Sequence, residues 1–513
     1  MLHLLPIRTA STMLARLLVA HRRGPTRLIN RAAPYTSPGN VFKRRGSSDM
    51  DASRSQSSRH SGELRQPRLS APMIDKCALV PLAACVLAII VLPLLTFFNP
   101  SSQKEVLSGV ARPEGRIVWP AMAAISVVLA AQYRSRLAKL TWPPHIICLF
   151  ACLGLAGASV LWAYRPESSF IRFVQQMMIV TSMVLPALLA PRAADIIRGL
   201  FLCFAFASIL NVFFVIGGFI DIVDCKAIEF CYTGYFVGKN YLGEFGAIGF
   251  SLSLYEILCR GWRRVLGIIG ATLGIYLVVM SNSKTALGLA FVSPLLAGLV
   301  LITRRITGIS MAIILLSIPL CYVALSSVSH YNMNLLSYKL YGDATFSART
   351  IIWDFVQNEI DRRPLLGWGY ESFWLVPGSP VLSDAPGWVK VMPNSHNGYY
   401  DTMLDMGHVG LAFLLVFIFA TLHAMGRVAD RDPARAWLMF SLALYVIVYN
   451  FLESLWMRGA EFEWLVFLIL AAEIGRYWQP LPLRRAARRS SSSRPGSPVP
   501  SPGLHPALRR RPS

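Results

Sequence analysis

Residues 77–98 read CALVPLAACVLAIIVLPLLTFF, a run of 22 residues that contains no charged side chain. A helix needs about 20 apolar residues to cross the hydrocarbon core of a bilayer. Similar stretches follow near 116–133, 144–163, 170–189, 197–219, 240–259, 265–281, 285–302, 308–328, 404–424, 435–452 and 461–478. The sequence therefore predicts an all-α polytopic membrane protein, a bundle of about 12 transmembrane helices.

The composition supports this fold class. Of the 513 residues, 54% are hydrophobic and only 15% are charged, and the mean hydropathy is +0.48. A soluble globular protein carries roughly 25% charged residues, so the composition excludes a soluble multidomain enzyme. The cysteines are scattered, mostly inside apolar runs, and show no spacing typical of a zinc or haem site.

The formal charge of +23 is concentrated at the two ends of the chain. Residues 1–76 carry +10 and residues 479–513 carry +8, which leaves +5 for everything between them. We expect two basic, disordered cytosolic tails beside an anionic leaflet, flanking a transmembrane domain at 77–478. The partners implied are membrane lipids rather than nucleic acid. Residues 1–48 also resemble an organellar transit peptide, but we favour a cytosolic arm.

Basic side chains recur in every second predicted loop, whereas the loops between them are neutral or acidic. This alternation predicts that both chain ends face the cytosol. The basic loops contain Arg134, Arg136 and Lys139; Arg192; Arg260, Arg263 and Arg264; Arg304 and Arg305; and Arg427, Arg431 and Arg435.

The longest segment between predicted spans, 329–403, falls on the opposite, outer face. It contains FSARTIIW (346–353), RPLLGWGY (363–370) and NSHNGYY (394–400), and LDMGHVGL (404–411) follows it. Its aromatic residues and helical periodicity predict a large, folded, partly helical periplasmic loop. Two shorter polar motifs, GKN (238–240) and SNSK (281–284), are predicted on the same face.

The order SNSKT, FSARTIIW, RPLLGWGY and HNGYYDTMLDMGHVGL resembles the bacterial O-antigen ligase family, which includes exopolysaccharide polymerases. The resemblance covers roughly 200–475. It implies a multi-pass protein of the bacterial inner membrane that performs metal-independent, inverting glycosyl transfer on the periplasmic face, without a cofactor. It also implies an undecaprenyl-diphosphate-linked glycan as donor, a glycan or lipid A-core as acceptor, and polysaccharide-export proteins as partners.

The family's catalytic positions fall on Lys284, Arg349 and His396 of this sequence. Cations can stabilise the departing diphosphate, with Arg349 offering a bidentate fork and Lys284 a point charge. A histidine suits the role of general base toward the acceptor hydroxyl at neutral pH. The substrate-binding residues we predict beside them are Lys239, Asn240, Trp353, Trp368, Trp374 and Asn397.

Each of these side chains also has a purely structural interpretation. Arg349 could pair with an acidic neighbour, His396 could bond to backbone at the membrane interface, and Lys284 could extend its stem along a helix end. The tryptophans could form an interfacial belt. These alternatives stay open at the level of sequence.

A transporter of polysaccharide or lipid-linked sugar is the rival from a different class. Transporters place paired ionisable residues at mid-membrane, often in symmetric halves. This sequence shows no internal repeat and collects its polar motifs on one face, which favours an enzyme. The sequence does not distinguish a polymerase from an O-antigen ligase that acts on lipid A-core.

Cys225 and Cys231 lie in one predicted outer loop. Since the outer compartment is oxidising, we predict a disulfide between them; the alternative is a pair of interfacial thiols.

Overall fold

The computed structural model describes residues 75–99, 115–218, 231–329 and 349–479, and these parts of the chain are helical without an assigned strand. The two predicted tails, Cys225 and residues 330–348 of the predicted loop lie outside them. The long helices are α1 (Lys76–Phe98), α2 (Gly115–Gln132), α3 (Pro144–Ser159), α4 (Pro166–Leu189), α5 (Ile196–Ile216), α6 (Lys239–Leu258), α7 (Trp262–Met280), α8 (Lys284–Thr307), α9 (Met311–Ser329), α10 (Arg349–Arg362), α11 (Gly398–Ala424), α12 (Pro433–Tyr449) and α13 (Phe462–Trp478).

The all-helical class is confirmed. Within the described residues, eight helices are long and apolar enough to cross a membrane: α1 to α5, α7, α8 and α11. Helices α12 and α13 have 17 residues each, about 26 Å at 1.5 Å per residue, a few Å short of the hydrocarbon core. Helix α6 is more polar because it carries Glu244 and Glu256. The count of about 12 spans stays a prediction.

Helix α13 lies at the centre of the bundle. Every residue from Phe462 to Arg476 is buried, and so are most residues of α6 and α12. A helix that is apolar or buried all round belongs in a core. The peripheral helices instead turn large apolar side chains outward, for example Phe213, Leu295 and Ile313. This exposed apolar surface suits a lipid environment.

The arginines of the predicted cytosolic loops meet at one end of the bundle, here called the basic end. Asp195 lies 3.9 Å from Arg263 and 3.3 Å from Arg435, and Arg435 also pairs with Glu473 at 2.6 Å. Arg192 donates to the carbonyl of Arg476 at 3.0 Å. Loops that are far apart in sequence are therefore joined at this end by charge pairs.

Residues 349–403 fold at the other end, here called the loop end. They carry a small core of their own, which includes Ile352, Val356, Phe373 and Val389. A short helix, Pro380–Asp384, and a 3₁₀ turn, Gly387–Val391, follow α10 in this segment. The described part of the predicted loop is thus folded and partly helical.

The RPLLGWGY and LDMGHVGL motifs dock against each other at the loop end. The N–H groups of Trp368 and Gly369 donate to the carbonyls of Leu404 and Asp405 at 2.7 and 2.9 Å, and His408 N–H donates to the Pro364 carbonyl at 2.8 Å. This docking interrupts α11 at Gly407, whose φ of 65° and ψ of −167° are not helical. Helix α11 begins at Gly398, six residues before the predicted span, and it bends within that span, at Gly407.

Candidate active site

Glu453, in the connection between α12 and α13, holds three polar side chains from distant parts of the chain. Its Oε1 accepts from Arg349 Nη2 at 2.7 Å and from Asn240 Nδ2 at 3.3 Å. Its Oε2 lies 2.8 Å from His396 Nδ1. The structure thus brings together Arg349, His396 and Asn240, all singled out from the sequence, around a carboxylate that was not.

The NSHN turn presents His396 in a fixed geometry. His396 has a φ of +51°, in the left-handed region, and its N–H donates to Asn394 Oδ1 at 2.9 Å. Asn397 Oδ1 then accepts from the N–H groups of Tyr399 and Tyr400 at 3.1 and 3.2 Å. Asn397, predicted to bind substrate, is therefore the N-cap of α11, where asparagine satisfies otherwise unpaired helix N–H groups.

Helix α10 holds Arg349 beside this turn. Trp353 lies one helical turn after Arg349, and its indole N–H donates to the carbonyl of Ser395 at 3.1 Å. The contact joins α10 directly to the residue before His396. Arg349 Nε is buried and has no hydrogen-bond partner among the described residues. The guanidinium therefore retains a donor after Glu453 is satisfied.

Backbone and amide contacts fix the segment that carries Glu453. Gly398 N–H donates to the carbonyls of Asn450 and Glu453, at 2.8 and 3.0 Å. Asn450 Oδ1 accepts from the N–H groups of Leu455 and Trp456. The start of α11 and the connection after α12 are thus one hydrogen-bonded unit, and the carboxylate has a defined position.

Electrostatics keep Glu453 ionised. Burial acts to raise the pKa of this carboxyl, but the charges of His396 and then Arg349 outweigh burial and hold the pKa below its ordinary value of 4.5. An ionised carboxylate accepts a hydrogen bond from the N–H at Nδ1 of a neutral histidine. The other ring nitrogen, Nε2, is then the basic one. The arrangement can orient a histidine base and an arginine at the same time.

Known proteins resemble this chain in sequence. Residues 269–415 match the family model described as O-Antigen ligase. This region contains Lys284, Arg349 and His396. Over this region the chain is similar to O-antigen ligases.

Two relatives are also similar to this chain in sequence. The "Exopolysaccharide production protein ExoQ" of Rhizobium meliloti (strain 1021) is 25% identical over 327 residues, which cover 60% of this chain and 70% of the relative. The "Putative polysaccharide ligase RP358" of Rickettsia prowazekii (strain Madrid E) is 27% identical over 128 residues, or 24% of this chain and 31% of the relative.

The two predicted lysines lie in the turns beside this cluster. Lys239 Nζ is 3.8 Å from Cys231 Sγ, and Asn282 Nδ2 is 3.9 Å from the same sulfur. Lys284 is exposed at the first position of α8, two residues after Asn282. The turn before α8 packs on α6 at Gly243, one helical turn after Asn240.

Two predicted tryptophans belong to the core of the loop end. Trp368 is 8% exposed and donates to the Glu359 carbonyl at 3.1 Å, with the Arg363 guanidinium 4.2 Å from the ring centroid. Trp374 is 3% exposed and donates to Asp401 Oδ1 at 2.8 Å. Trp374 also forms part of the wall of a cavity, whereas Trp368 does not.

Cys231 is disulfide-bonded. Cys225, its predicted partner, lies outside the described residues. The other cysteines within the described ranges carry free thiols.

Glu453 is the residue that sequence reasoning missed. It lies outside the region that matches the family model and stands in a short connection between two apolar helices. The signal that could have found Glu453 is its predicted topology, because the connection between α12 and α13 is predicted on the same face of the membrane as the NSHN and RPLLGWGY motifs.

Proposed function

We propose that this protein is a membrane glycosyltransferase that polymerises or transfers undecaprenyl-diphosphate-linked glycan units on the periplasmic face of the bacterial inner membrane, in exopolysaccharide or O-antigen synthesis. The observation that carries the proposal is Glu453 bridging Arg349 and His396, at 2.7 and 2.8 Å. A base and a cation held by one carboxylate are the two groups that such a transfer needs. The coarser role, a polysaccharide ligase or polymerase, agrees with the relatives.

His396 acts as the general base in this mechanism. The acceptor hydroxyl gives its proton to His396 Nε2, and the hydroxyl oxygen attacks the anomeric carbon of the donor. The bond between that carbon and the phosphate oxygen breaks, and its electron pair leaves with the lipid diphosphate. Glu453 accepts the Nδ1 hydrogen bond and stabilises the imidazolium that forms. A single displacement of this kind inverts the anomeric centre.

Cationic side chains stabilise the leaving diphosphate. The Arg349 side chain pairs with Glu453 through Nη2 but stays 18% exposed, and its guanidinium is the cation that donates to a phosphate oxygen in this mechanism. Lys284 is exposed at the N-terminus of α8, where the helix dipole also favours an anion. With Lys239 in the neighbouring turn, these residues supply the positive charge for which other transferases use a metal ion.

The loop end faces the periplasm in this proposal. The arginine-rich basic end is then cytosolic, in agreement with the positive-inside rule. The donor glycan and the Glu453 cluster meet on the side where polysaccharides are assembled.

Polymerase activity is the first candidate because the relative with the longer match is named as an exopolysaccharide production protein. The shorter match to a protein named as a polysaccharide ligase makes transfer to lipid A-core the second candidate.

Purified protein in liposomes, supplied with the lipid-linked repeat of its source organism, tests the proposal. We expect a ladder of lengthened lipid-linked glycans, with and without EDTA. Transfer to added lipid A-core without a ladder would establish the ligase alternative. Consumption of no donor under either condition would contradict the proposed function, and loss of product with EDTA would contradict its metal independence.

A further inference from the structure

A cavity of about 260 Å³ opens beside the Glu453 cluster at the loop end. Helices α1, α2 and α4, the segment around Glu371 and the start of α13 form its walls. Its volume is slightly below the roughly 300–1,000 Å³ of sites that hold drug-sized ligands. The space suits a ligand of about the size of one sugar residue.

The cavity adjoins the candidate base through two chain neighbours. Asn394 lines the cavity, and its Oδ1 accepts the N–H of His396 at 2.9 Å. Tyr241 also lines it and directly follows Asn240, which donates to Glu453. A group bound here would lie next to the base without occupying the position of Arg349.

The charges that line this cavity are neutralised from within the protein. Arg172 donates to the Glu371 carbonyl and has its Nε 3.9 Å from Glu371 Oε2. Arg458 pairs with Asp401 at 2.7 Å and donates to the Pro393 carbonyl at 3.2 Å. Among the described residues that line the cavity are two arginines, Arg172 and Arg458, and two glutamates, Glu371 and Glu461. These described residues offer a diphosphate no excess positive charge.

The remaining wall is aromatic and amide in character. Trp119, Tyr241 and Trp374 supply ring surface, and Gln175 supplies a side-chain amide. No hydrogen bond joins the Gln175 amide, or Asn394 Nδ2, to another described residue. Flat apolar rings with a few unpaired amides match a sugar, which has C–H faces and many hydroxyls.

We infer that this cavity is the binding subsite for the acceptor glycan, and that it takes an uncharged sugar residue. The inference rests on the proposed function, because it divides the two substrates of that reaction. The donor diphosphate lies toward Arg349 and the lysines. The acceptor sugar lies toward Gln175 and Asn394, with His396 between them.

Binding measured without turnover tests the inference on the full chain in nanodiscs. The probes are oligosaccharides released by mild acid from the cell-surface polysaccharide of the source organism, and undecaprenyl diphosphate. We expect Gln175→Ala to weaken oligosaccharide binding about 3- to 10-fold, which is the loss of affinity expected when one or two uncharged hydrogen bonds are removed. Ala460→Leu, which narrows the cavity, should weaken it as well. Both variants should bind undecaprenyl diphosphate like the wild type.

Gln357→Ala is the matched control, since this exposed glutamine of α10 lies away from the cavity. The inference is overturned if the wild type fails to bind the oligosaccharide, if both cavity variants bind it normally, or if they weaken the diphosphate probe instead. Failure of the proposed function would appear separately, as purified wild type that binds the oligosaccharide but forms no glycan product.

Discussion

Glu453 shows how far a sequence can predict this site and where it stops. Arg349 and His396 stand in motifs that resemble a known family, so their chemistry was predicted from the sequence. The carboxylate between them is 104 and 57 residues away along the chain. No local pattern joins residues at that separation, because their contact is made by the packing of α10, α11 and α12. The structural alternative for Arg349, an acidic neighbour, thus exists together with the proposed role.

The two tryptophans illustrate the opposite difficulty. A sequence rich in aromatic residues predicts ring surfaces but not which of them are covered. Trp368 and Trp374 are buried because the loop end must build its own core from the same residue types that could stack on sugars. Their predicted contact with substrate stays a prediction, and for Trp374 the cavity wall supports it.

Replacing the carboxylate should separate charge from shape. In Glu453→Gln we expect turnover to fall about 10²- to 10⁴-fold. Unlike the carboxylate, an amide is not an acceptor-only partner that orients Nδ1, and it carries no negative charge to stabilise the imidazolium. Glu167→Gln, an exposed glutamate in the first turn of α4, is the control and should keep full turnover. Equal rates in both variants would remove Glu453 from the mechanism.

The pH dependence of stability gives a second test of Glu453. Because the pKa of this carboxyl is lowered on folding, its contribution is fully present above the ordinary value of 4.5 and is lost as pH falls through the lowered pKa. The wild type should therefore melt above Glu453→Gln at neutral pH, and the difference in Tm should vanish in acid. A constant difference from pH 7 to pH 3 would contradict this electrostatic account.

At the scale of elements, the sequence located the helices better than their ends. The predicted span at 404–424 corresponds to α11, which begins at Gly398 and bends at Gly407. Hydropathy cannot predict the bend, because it arises from docking of a loop segment, Leu365 to Gly369, against the helix backbone. A Cβ at Gly407 would lie 2.1 Å from the Leu365 carbonyl oxygen. The glycine is required by both the backbone conformation and the close approach.

Gly407→Ala should therefore destabilise the protein by at least about 2 kcal/mol, from strain at positive φ and displacement of the docked segment. The measurement is thermal unfolding in detergent, with donor turnover as a second readout. Gly288→Ala in α8 is the control, because a Cβ there meets no atom within 4 Å; alanine should be neutral or slightly stabilising in that helix. Equal melting of the two variants would show that the docking is not needed.

At the scale of the whole molecule, the alternation of basic loops predicts that these loops share one face of the membrane. In the structure their arginines meet at the basic end, where ion pairs join them. The ion pairs show that these basic side chains contribute to packing at this end, whereas the membrane orientation that their alternation predicts stays a prediction. The number of spans was harder to predict, since α12 and α13 are short and α6 carries buried glutamates. Such helices sit inside the bundle, where protein rather than lipid surrounds them.

Reporter fusions test the proposed orientation. Fusions after Arg264 and Arg305 should report a cytosolic position, and one near Gly378 should report a periplasmic one. The first two sites belong to the basic end, and the third belongs to the loop end. A cytosolic signal near Gly378 would contradict the mechanism, because the proposed donor is presented outside.

The central claim is that Arg349 binds the donor diphosphate and His396 activates the acceptor. It is tested most directly by measuring donor binding and turnover separately in purified Arg349→Ala and His396→Ala, with Arg349→Lys as the matched cationic variant. We predict that Arg349→Ala loses both donor affinity and turnover, and that Arg349→Lys recovers little because one point charge does not replace a planar fork. His396→Ala should bind donor like the wild type and turn over about 10²- to 10⁴-fold more slowly. Near-normal turnover in His396→Ala, or unchanged donor affinity in Arg349→Ala, would contradict the account.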